Sequence, residues 1–157
     1  MSLLKGNGVT MRLLLDTNAL IDYLASREPY CRPMETLCIA SYMGDVELWV
    51  NIQSFLDALY ALRKFASQHE LRQVMLASLE FFHPCGCRAV DLPAALRSDW
   101  PDVEDFMIAT SARNIAADYV LTRDIKGFVH SKVKAIQPED AVALLEDDGL
   151  SYGRVEF

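Results

Sequence analysis

The residues of this sequence best suited to chemistry are aspartates predicted to lie just beyond strand ends or near helix starts. Four share this placement: Asp16, Asp57, Asp105 and Asp124. Carboxylates gathered in one crevice repel one another and lose hydration, and a divalent cation relieves both costs. Carboxylate oxygens suit Mg²⁺ or Mn²⁺. Because such an ion can activate water and stabilise charge on a phosphoryl group, the set favours a metal site for phosphodiester hydrolysis.

Two of these aspartates follow predicted strands. Asp16 comes directly after a Leu-Leu-Leu run at 13–15, and Asp124 comes two residues after a strand that ends at Thr122. In open α/β sheets, ligands bind just beyond the carboxyl ends of the strands. We therefore expect both side chains to face one crevice.

The other two aspartates are predicted to lie in the first turns of helices, and these positions also have a purely structural interpretation. Asp57 lies one turn into a helix predicted to begin near Ser54, and this pair fits a capping box. Asp105 follows Asp102 by three residues, so Asp102 fits a helix N-cap and Asp105 complements the helix dipole. The sequence leaves open whether Asp102 joins the site or only caps the helix.

Predicted strands alternate with predicted helices along the chain. The strands are short apolar runs at 13–15, 47–52 and 119–122, with shorter ones at 88–91 and 135–136, and a turn is predicted at 83–86. Strands that read as continuous apolar runs are typical of a parallel sheet covered on both faces. The pattern therefore predicts an α/β sandwich.

Length and composition indicate a single folded domain. The chain has 157 residues, 52% hydrophobic, and a net charge of −7. The predicted division is a leader at 1–10, a domain at 11–146 and a C-terminal tail at 147–157. No apolar run approaches the roughly 20 residues of a membrane span. The acidic balance does not favour general binding to phosphate backbones, but it suits a site that collects divalent cations.

The cysteines are interpreted as reduced thiols of a cytoplasmic protein. Cys85 and Cys87 form a C-x-C pair near His83, whereas zinc sites commonly use C-x₂₋₄-C with a matching second pair. Cys31 and Cys38 lie in a helical pattern and do not supply that pair. The start of the sequence lacks the pattern of a signal peptide, which favours a reducing compartment. Small core residues and a turn are therefore favoured over zinc ligands.

Four segments, in order, resemble the motifs of PIN-domain nucleases. LLLDTNAL at 13–20 resembles the opening motif, SFLDALYALRK at 54–64 the second block, DFMIATSA at 105–112 the third and LTRD at 121–124 the fourth. The Asp-x-x-Tyr form of the second block and the Asp-x-Glu-Asp at 102–105 are similar to one bacterial subgroup. The resemblance implies a Rossmann-like three-layer sandwich with a mainly parallel central sheet.

The same resemblance implies a function. Family members are Mg²⁺- or Mn²⁺-dependent endoribonucleases that cut single-stranded RNA with metal-activated water, and prokaryotic members are commonly VapC-like toxins held by an antitoxin. Asp16 and Asp105 map to metal ligands, and Asp57 and Asp124 complete the catalytic acids. Many relatives carry Glu where this chain has Asp57. Relatives often form dimers, so the resemblance makes a homodimer possible, and no membrane partner is expected because the sequence has no apolar run of spanning length.

Supporting residues follow from the same mapping. Three polar side chains would orient the carboxylates through hydrogen bonds: Thr17, Asn18 and Thr122. Two basic residues are expected to contact RNA phosphates: Arg123, which adjoins Asp124, and Lys126.

A competing interpretation is a PIN-like RNA-binding or regulatory module with weak or no catalytic activity. The acidic composition, the short side chain of Asp57 and a glycine at Gly127, where relatives often carry Asp, favour it. Two phosphate-handling folds are disfavoured, because after the first strand a receiver domain needs an adjacent acidic pair and a haloacid-dehalogenase-like phosphatase needs Asp-x-Asp. Asp16-Thr17-Asn18 supplies one acid.

Overall fold

The computed structural model describes residues 10–153, and its centre is a five-stranded sheet in which every neighbouring pair is parallel. The order across the sheet is β3-β2-β1-β4-β5. The strands are β1 (Met11–Leu15), β2 (Val46–Asn51), β3 (Phe82–Cys85), β4 (Tyr119–Leu121) and β5 (Ala135–Ile136). Residues 1–9 of the predicted leader and 154–157 of the predicted tail lie outside the described residues.

Helices cover both faces of this sheet. Between residues 10 and 153 they are α1 (Thr17–Leu24), α2 (Cys31–Tyr42), α3 (Ile52–Leu62), α4 (Gln68–Ser78), α5 (Asp91–Arg97), α6 (Val103–Asn114) and α7 (Pro138–Asp147), with a 3₁₀ turn at Ile125–Phe128 after β4. The fold is a Rossmann-like α/β sandwich, as the sequence predicts. The longest of these helices have 12 residues, so none in the described part is long and apolar enough to cross a bilayer.

The leucines of β1 fill two cores, one on each side of the sheet. Leu13 and Leu15 pack on the side that carries α1, α2 and α7, whereas Leu14 packs with Ile108 and Ala112 of α6. All three leucines are fully buried, and full burial of one such side chain stabilises the fold by about 1.5–3 kcal/mol. The buried strand fixes where Asp16, the next residue, emerges.

Two local expectations are wrong. The segment predicted as a turn at 83–86 largely belongs to β3, and the predicted strand at 88–91 leads into α5 instead. Pro84 makes this segment read as a turn. β3 is an edge strand, however, and a residue without an N–H is tolerated there. Helix α3 begins at Ile52 because Asn51 caps it, its Oδ1 accepting from the Gln53 N–H at 2.9 Å.

Candidate active site

Three of the four predicted aspartates come together at the carboxyl edge of the sheet. Strands β1 and β4 are parallel neighbours; Asp16 directly follows β1, and Asp124 lies three residues beyond the end of β4. Asp105 joins them from the first turn of α6. Burial, followed by the charges of Asp102, Asp16, Asp124 and Glu104, raises the pKa of Asp105 to about 7. The carboxylates therefore crowd one another, as the sequence predicts for a cation site.

Neutral donors hold both oxygens of Asp16. Its Oδ1 accepts from the Thr17 N–H at 2.7 Å, and its Oδ2 accepts from the Thr122 hydroxyl at 2.9 Å. Only 5% of the residue is exposed. Burial raises the pKa of Asp16, the two hydrogen bonds oppose that rise, and the charges of Glu104 and Asp124 add to it. The carboxylate is thus fixed in orientation while its negative charge is not cancelled.

Gly127 leaves open a space on which two carboxylate oxygens converge. A Cβ at this position would lie 2.6 Å from Asp105 Oδ2 and 2.7 Å from Asp124 Oδ2. The other oxygen of Asp124, Oδ1, accepts from the Gly127 N–H at 3.1 Å, and the Asp124 N–H donates to the Thr122 hydroxyl at 3.0 Å. A side chain at position 127 would therefore displace the carboxylates.

Asp102 caps the helix that carries Asp105. Its Oδ1 accepts from the Asp105 N–H at 3.0 Å at the start of α6. Its charge also raises the pKa of Asp105. Asp102 is thus the N-cap of α6, and its negative charge also acts on the site.

Glu104 belongs to this region, although the sequence analysis assigned it no role. Its Oε1 accepts from the Thr17 hydroxyl at 2.9 Å, and that hydroxyl lies 2.8 Å from the hydroxyl of Ser54. Glu104 is exposed, and its charge raises the pKa of both Asp16 and Asp105. The Asp-x-Glu-Asp motif contains it, and that motif was the available signal.

Asp57 lies to one side of the three clustered aspartates. It is half-buried on α3, and its Oδ1 accepts from the Gln53 side chain at 2.9 Å. Together with Ser54, Glu104 and Cys87 it lines a groove of about 740 Å³. The predicted catalytic role of Asp57 stays a prediction.

The predicted supporting residues differ in their surroundings. Thr122 and Thr17 are both buried and contact Asp16, whereas Asn18 is exposed on α1. Lys126 is exposed on the 3₁₀ turn. The predicted contact of Arg123 with RNA also stays a prediction, because its guanidinium donates to both oxygens of the buried Asp22, at 2.8 and 3.1 Å.

Among residues 10–153, the cysteines belong to no group of three or more potential metal ligands. Cys31, Cys38 and Cys85 are buried, whereas Cys87 is exposed and its Sγ accepts from Asn51 Nδ2 at 3.0 Å. Burial raises the pKa of the Cys38 thiol to about 12 and that of Cys85 to about 11. A raised pKa disfavours the thiolate form that binds metals.

The donor set fits a hard divalent cation that keeps part of its water shell. Within residues 10–153, no three His, Cys, Asp or Glu side chains form a ready-made cage for an ion. Mg²⁺ is usually held by one or two carboxylates together with waters and substrate phosphates. The paired Oδ2 atoms of Asp105 and Asp124, with Asp16 adjacent, suit that mode of binding.

Comparison with known proteins agrees with this architecture. Residues 12–126 match the family model of the PIN domain, so the chain belongs to the PIN-domain family. PIN domains are a family of nucleases and generally use divalent metal ions. No curated protein matches the sequence.

Several solved structures share the fold, and two of them illustrate the match. One is VapBC2 from Rickettsia felis bound to a DNA fragment from its promoter, with a TM-score of 0.60, 16% identity and coverage of 81% of this chain and 98% of that chain. The other is a toxin-antitoxin complex from Klebsiella pneumoniae, with a TM-score of 0.59, 20% identity and coverage of 80% and 97%.

Proposed function

We propose that this protein is a metal-dependent endoribonuclease that cleaves single-stranded RNA and acts as the toxin of a toxin–antitoxin pair. The observation that carries the proposal is the cluster of Asp16, Asp105 and Asp124, whose charges no cation cancels within the described chain. Membership of a nuclease family supports the activity. The two structural neighbours come from toxin–antitoxin complexes, which supports an antitoxin as partner.

Asp105 and Asp124 would hold the cation, and Asp16 would complete the ligand set. Mg²⁺ or Mn²⁺ is expected, because all the donors are hard oxygens. A divalent cation bound there supplies an activated water and neutralises charge on the scissile phosphate.

The chain's own residues prepare this site. The Thr122 hydroxyl and the Thr17 N–H fix the rotamer of Asp16, so its carboxylate does not have to reorganise when the substrate binds. Gly127 keeps the space between the two Oδ2 atoms free. Glu104 and Asp57 line the adjoining groove, where they can contact the substrate or its water.

The second candidate, an RNA-binding module without turnover, is favoured by one observation. Asp57 accepts a hydrogen bond from Gln53 and lines a groove with Glu104, a groove whose lining includes none of the three clustered aspartates. If a fourth acid at the cluster were needed for turnover, RNA would bind without being cut.

The test is an assay of a labelled single-stranded RNA with purified protein in Mg²⁺, in Mn²⁺ and in excess EDTA. We expect cleavage that EDTA abolishes and that Asp105→Asn removes, with an unchanged circular dichroism spectrum. Asp99→Asn, at an exposed aspartate outside the cluster, serves as the matched control and should cleave like the wild type. Full activity of Asp105→Asn would refute the proposal, and tight binding without cleavage would favour the module.

The toxin role is tested separately in cells. Induced expression of the wild type should arrest growth, expression of Asp105→Asn should not, and a cognate antitoxin should relieve the arrest. If the wild type cleaves RNA in vitro but its expression does not impair growth, the nuclease proposal stands and the toxin proposal is refuted.

A further inference from the structure

Lysines gather in one groove behind the 3₁₀ turn. The described residues 10–153 contain four lysines, and three of them line a single groove of about 520 Å³: Lys126, Lys132 and Lys134. All three are exposed. Ser131 and apolar side chains, among them the buried Phe128, form the rest of the groove. The chain as a whole carries a net charge of −7, so this concentration of positive charge is local.

These lysines make no ion pair within the described chain, in contrast to most of its arginines. Five of the nine arginines between residues 10 and 153 pair with carboxylates: Arg12, Arg27, Arg32, Arg88 and Arg123. The lysine charges are therefore available to an anionic ligand. Lys134 also borders a shallow cavity with Asp140 and Asp147, so the acids there partly offset its charge.

An aromatic surface continues from the groove. A smaller cavity of about 160 Å³ is lined by Trp100, Arg113, His130 and Lys132, so Lys132 borders both spaces. The half-buried indole of Trp100 contacts His130 edge-on, with their ring centroids 6.3 Å apart. Alternating cations and aromatic rings are the surface that single-stranded nucleic acids bind, through phosphates and stacked bases respectively.

The groove adjoins the acidic cluster through the 3₁₀ turn itself. Asp124 caps that turn, Gly127 borders the two Oδ2 atoms, and Lys126 and Phe128 line the groove. Residues of one short turn thus contribute to both the cluster and the groove. A polymer with a phosphate at the cluster could place its next phosphates along the lysines.

We propose that the groove of Lys126, Lys132 and Lys134 holds the phosphate backbone of single-stranded RNA on one side of the cleavage point, with the exposed His130 beside it as a ring on which a base can stack. This inference rests on the proposed function, because it assigns a path to the substrate of that site. The lysines are positioning residues, so they govern binding of the RNA more than the chemical step.

The experiment measures binding and cleavage separately. Binding of a fluorescent single-stranded RNA is followed by anisotropy at several salt concentrations in the Asp16→Asn background, which prevents cleavage. Adding Lys126→Gln, Lys132→Gln and Lys134→Gln should weaken binding and reduce the slope of log Kd against log salt by about 2, since each phosphate contact on a single strand contributes about 0.7. In otherwise wild-type protein, the three changes should raise KM and leave kcat nearly unchanged.

Lys64→Gln is the matched control. Lys64 is exposed and follows the end of α3, a helix that begins at the carboxyl edge and runs away from it, so its loss should change neither slope nor KM. Unchanged affinity and salt slope in the triple variant would overturn the inference. Equal competition by poly-glutamate and by poly(U) would also overturn it, because the groove would then be a general site for acidic protein.

Failure of the nuclease proposal would look different. Wild-type protein would then cleave no RNA with either metal, while the anisotropy measurement in the Asp16→Asn background would still decide for or against the lysine groove.

Discussion

The two ends of helix α1 each bury an aspartate, and the two aspartates are treated in opposite ways. Asp22, which is 1% exposed, binds the guanidinium of Arg123 through both oxygens and lies 3.7 Å from Arg27. Asp16, which is 5% exposed, receives only an amide and a hydroxyl. Cationic donors cancel the charge of Asp22, whereas neutral donors leave the charge of Asp16 available to a cation.

The ion pair of Asp22 with Arg123 helps to hold Asp16 and Asp124 in place. Arg123 stands between Thr122, which holds Asp16, and Asp124, whose Oδ2 faces Asp105. Its guanidinium also lies 4.0 Å from the centre of the Tyr30 ring. By tying the end of β4 to α1, the ion pair fixes the backbone on both sides of it. The Asp22–Arg123 ion pair thus helps to position the three clustered aspartates.

The largest expected effect comes from neutralising each aspartate in turn. Asp16→Asn should fold normally and lose more than about 100-fold in cleavage rate, since even outer partners of a metal site can be worth 10–100-fold. Asp22→Asn should keep most of its activity and lose about 3 kcal/mol of unfolding free energy, at the low end for a broken buried pair because both arginines are partly exposed. Cleavage kinetics and urea unfolding of both variants measure this contrast. An unstable Asp16→Asn, or an inactive but stable Asp22→Asn, would reverse it.

The hydroxyl of Thr122 is the next test. Thr122→Val removes the donor to Asp16 and the acceptor for the Asp124 N–H, and we expect affinity for Mn²⁺ to fall by about 10–100-fold. Titration calorimetry measures it. Thr122→Ser keeps the hydroxyl and should restore most of the affinity, which a merely space-filling role of the side chain would not explain.

Gly127→Ala tests whether the space between the Oδ2 atoms matters. The added Cβ pushes on the ends of two side chains rather than on backbone, so the melting temperature should change little. Misplaced catalytic groups are costly, however, and we expect about a 10-fold loss in kcat/KM. Gly153→Ala, where a Cβ would meet nothing within 4 Å, should leave both quantities unchanged. Wild-type kinetics in Gly127→Ala would argue against a role for this space.

The smallest effect is a pH dependence of stability. In the metal-free fold the pKa of Asp105 is raised from 3.8 to about 7, so between these values the folded chain binds more protons than the unfolded chain. Its contribution to stability therefore falls as the pH rises through that window. Mg²⁺ should raise the melting temperature by a few degrees more at pH 8 than at pH 5, as measured by calorimetry. Asp105→Asn should remove the difference, and an equal gain at both pH values in the wild type would contradict the expectation.

The sequence predicts the parallel α/β fold and the cluster because both depend on local patterns. Apolar runs mark the buried strands, and the acids directly beyond them must meet at one edge of a parallel sheet. Strand β3 could not be predicted in this way, because Pro84 is tolerated there only since β3 lies at the edge of the sheet. The pairing of Asp22 with Arg123 joins residues 101 positions apart. Such long-range contacts leave no local signal, and for the same reason the bond from Thr17 to Glu104 could not be foreseen.

The two edge strands of the sheet, β3 and β5, affect how this protein can bind other chains. β5 has two residues, and β3 contains a residue that cannot donate a backbone hydrogen bond. A very short edge strand and an edge strand that contains proline are poor templates for an incoming strand, so they protect the sheet against aggregation through its edges. A second chain that binds this fold is therefore expected to dock on its helices rather than to lengthen its sheet.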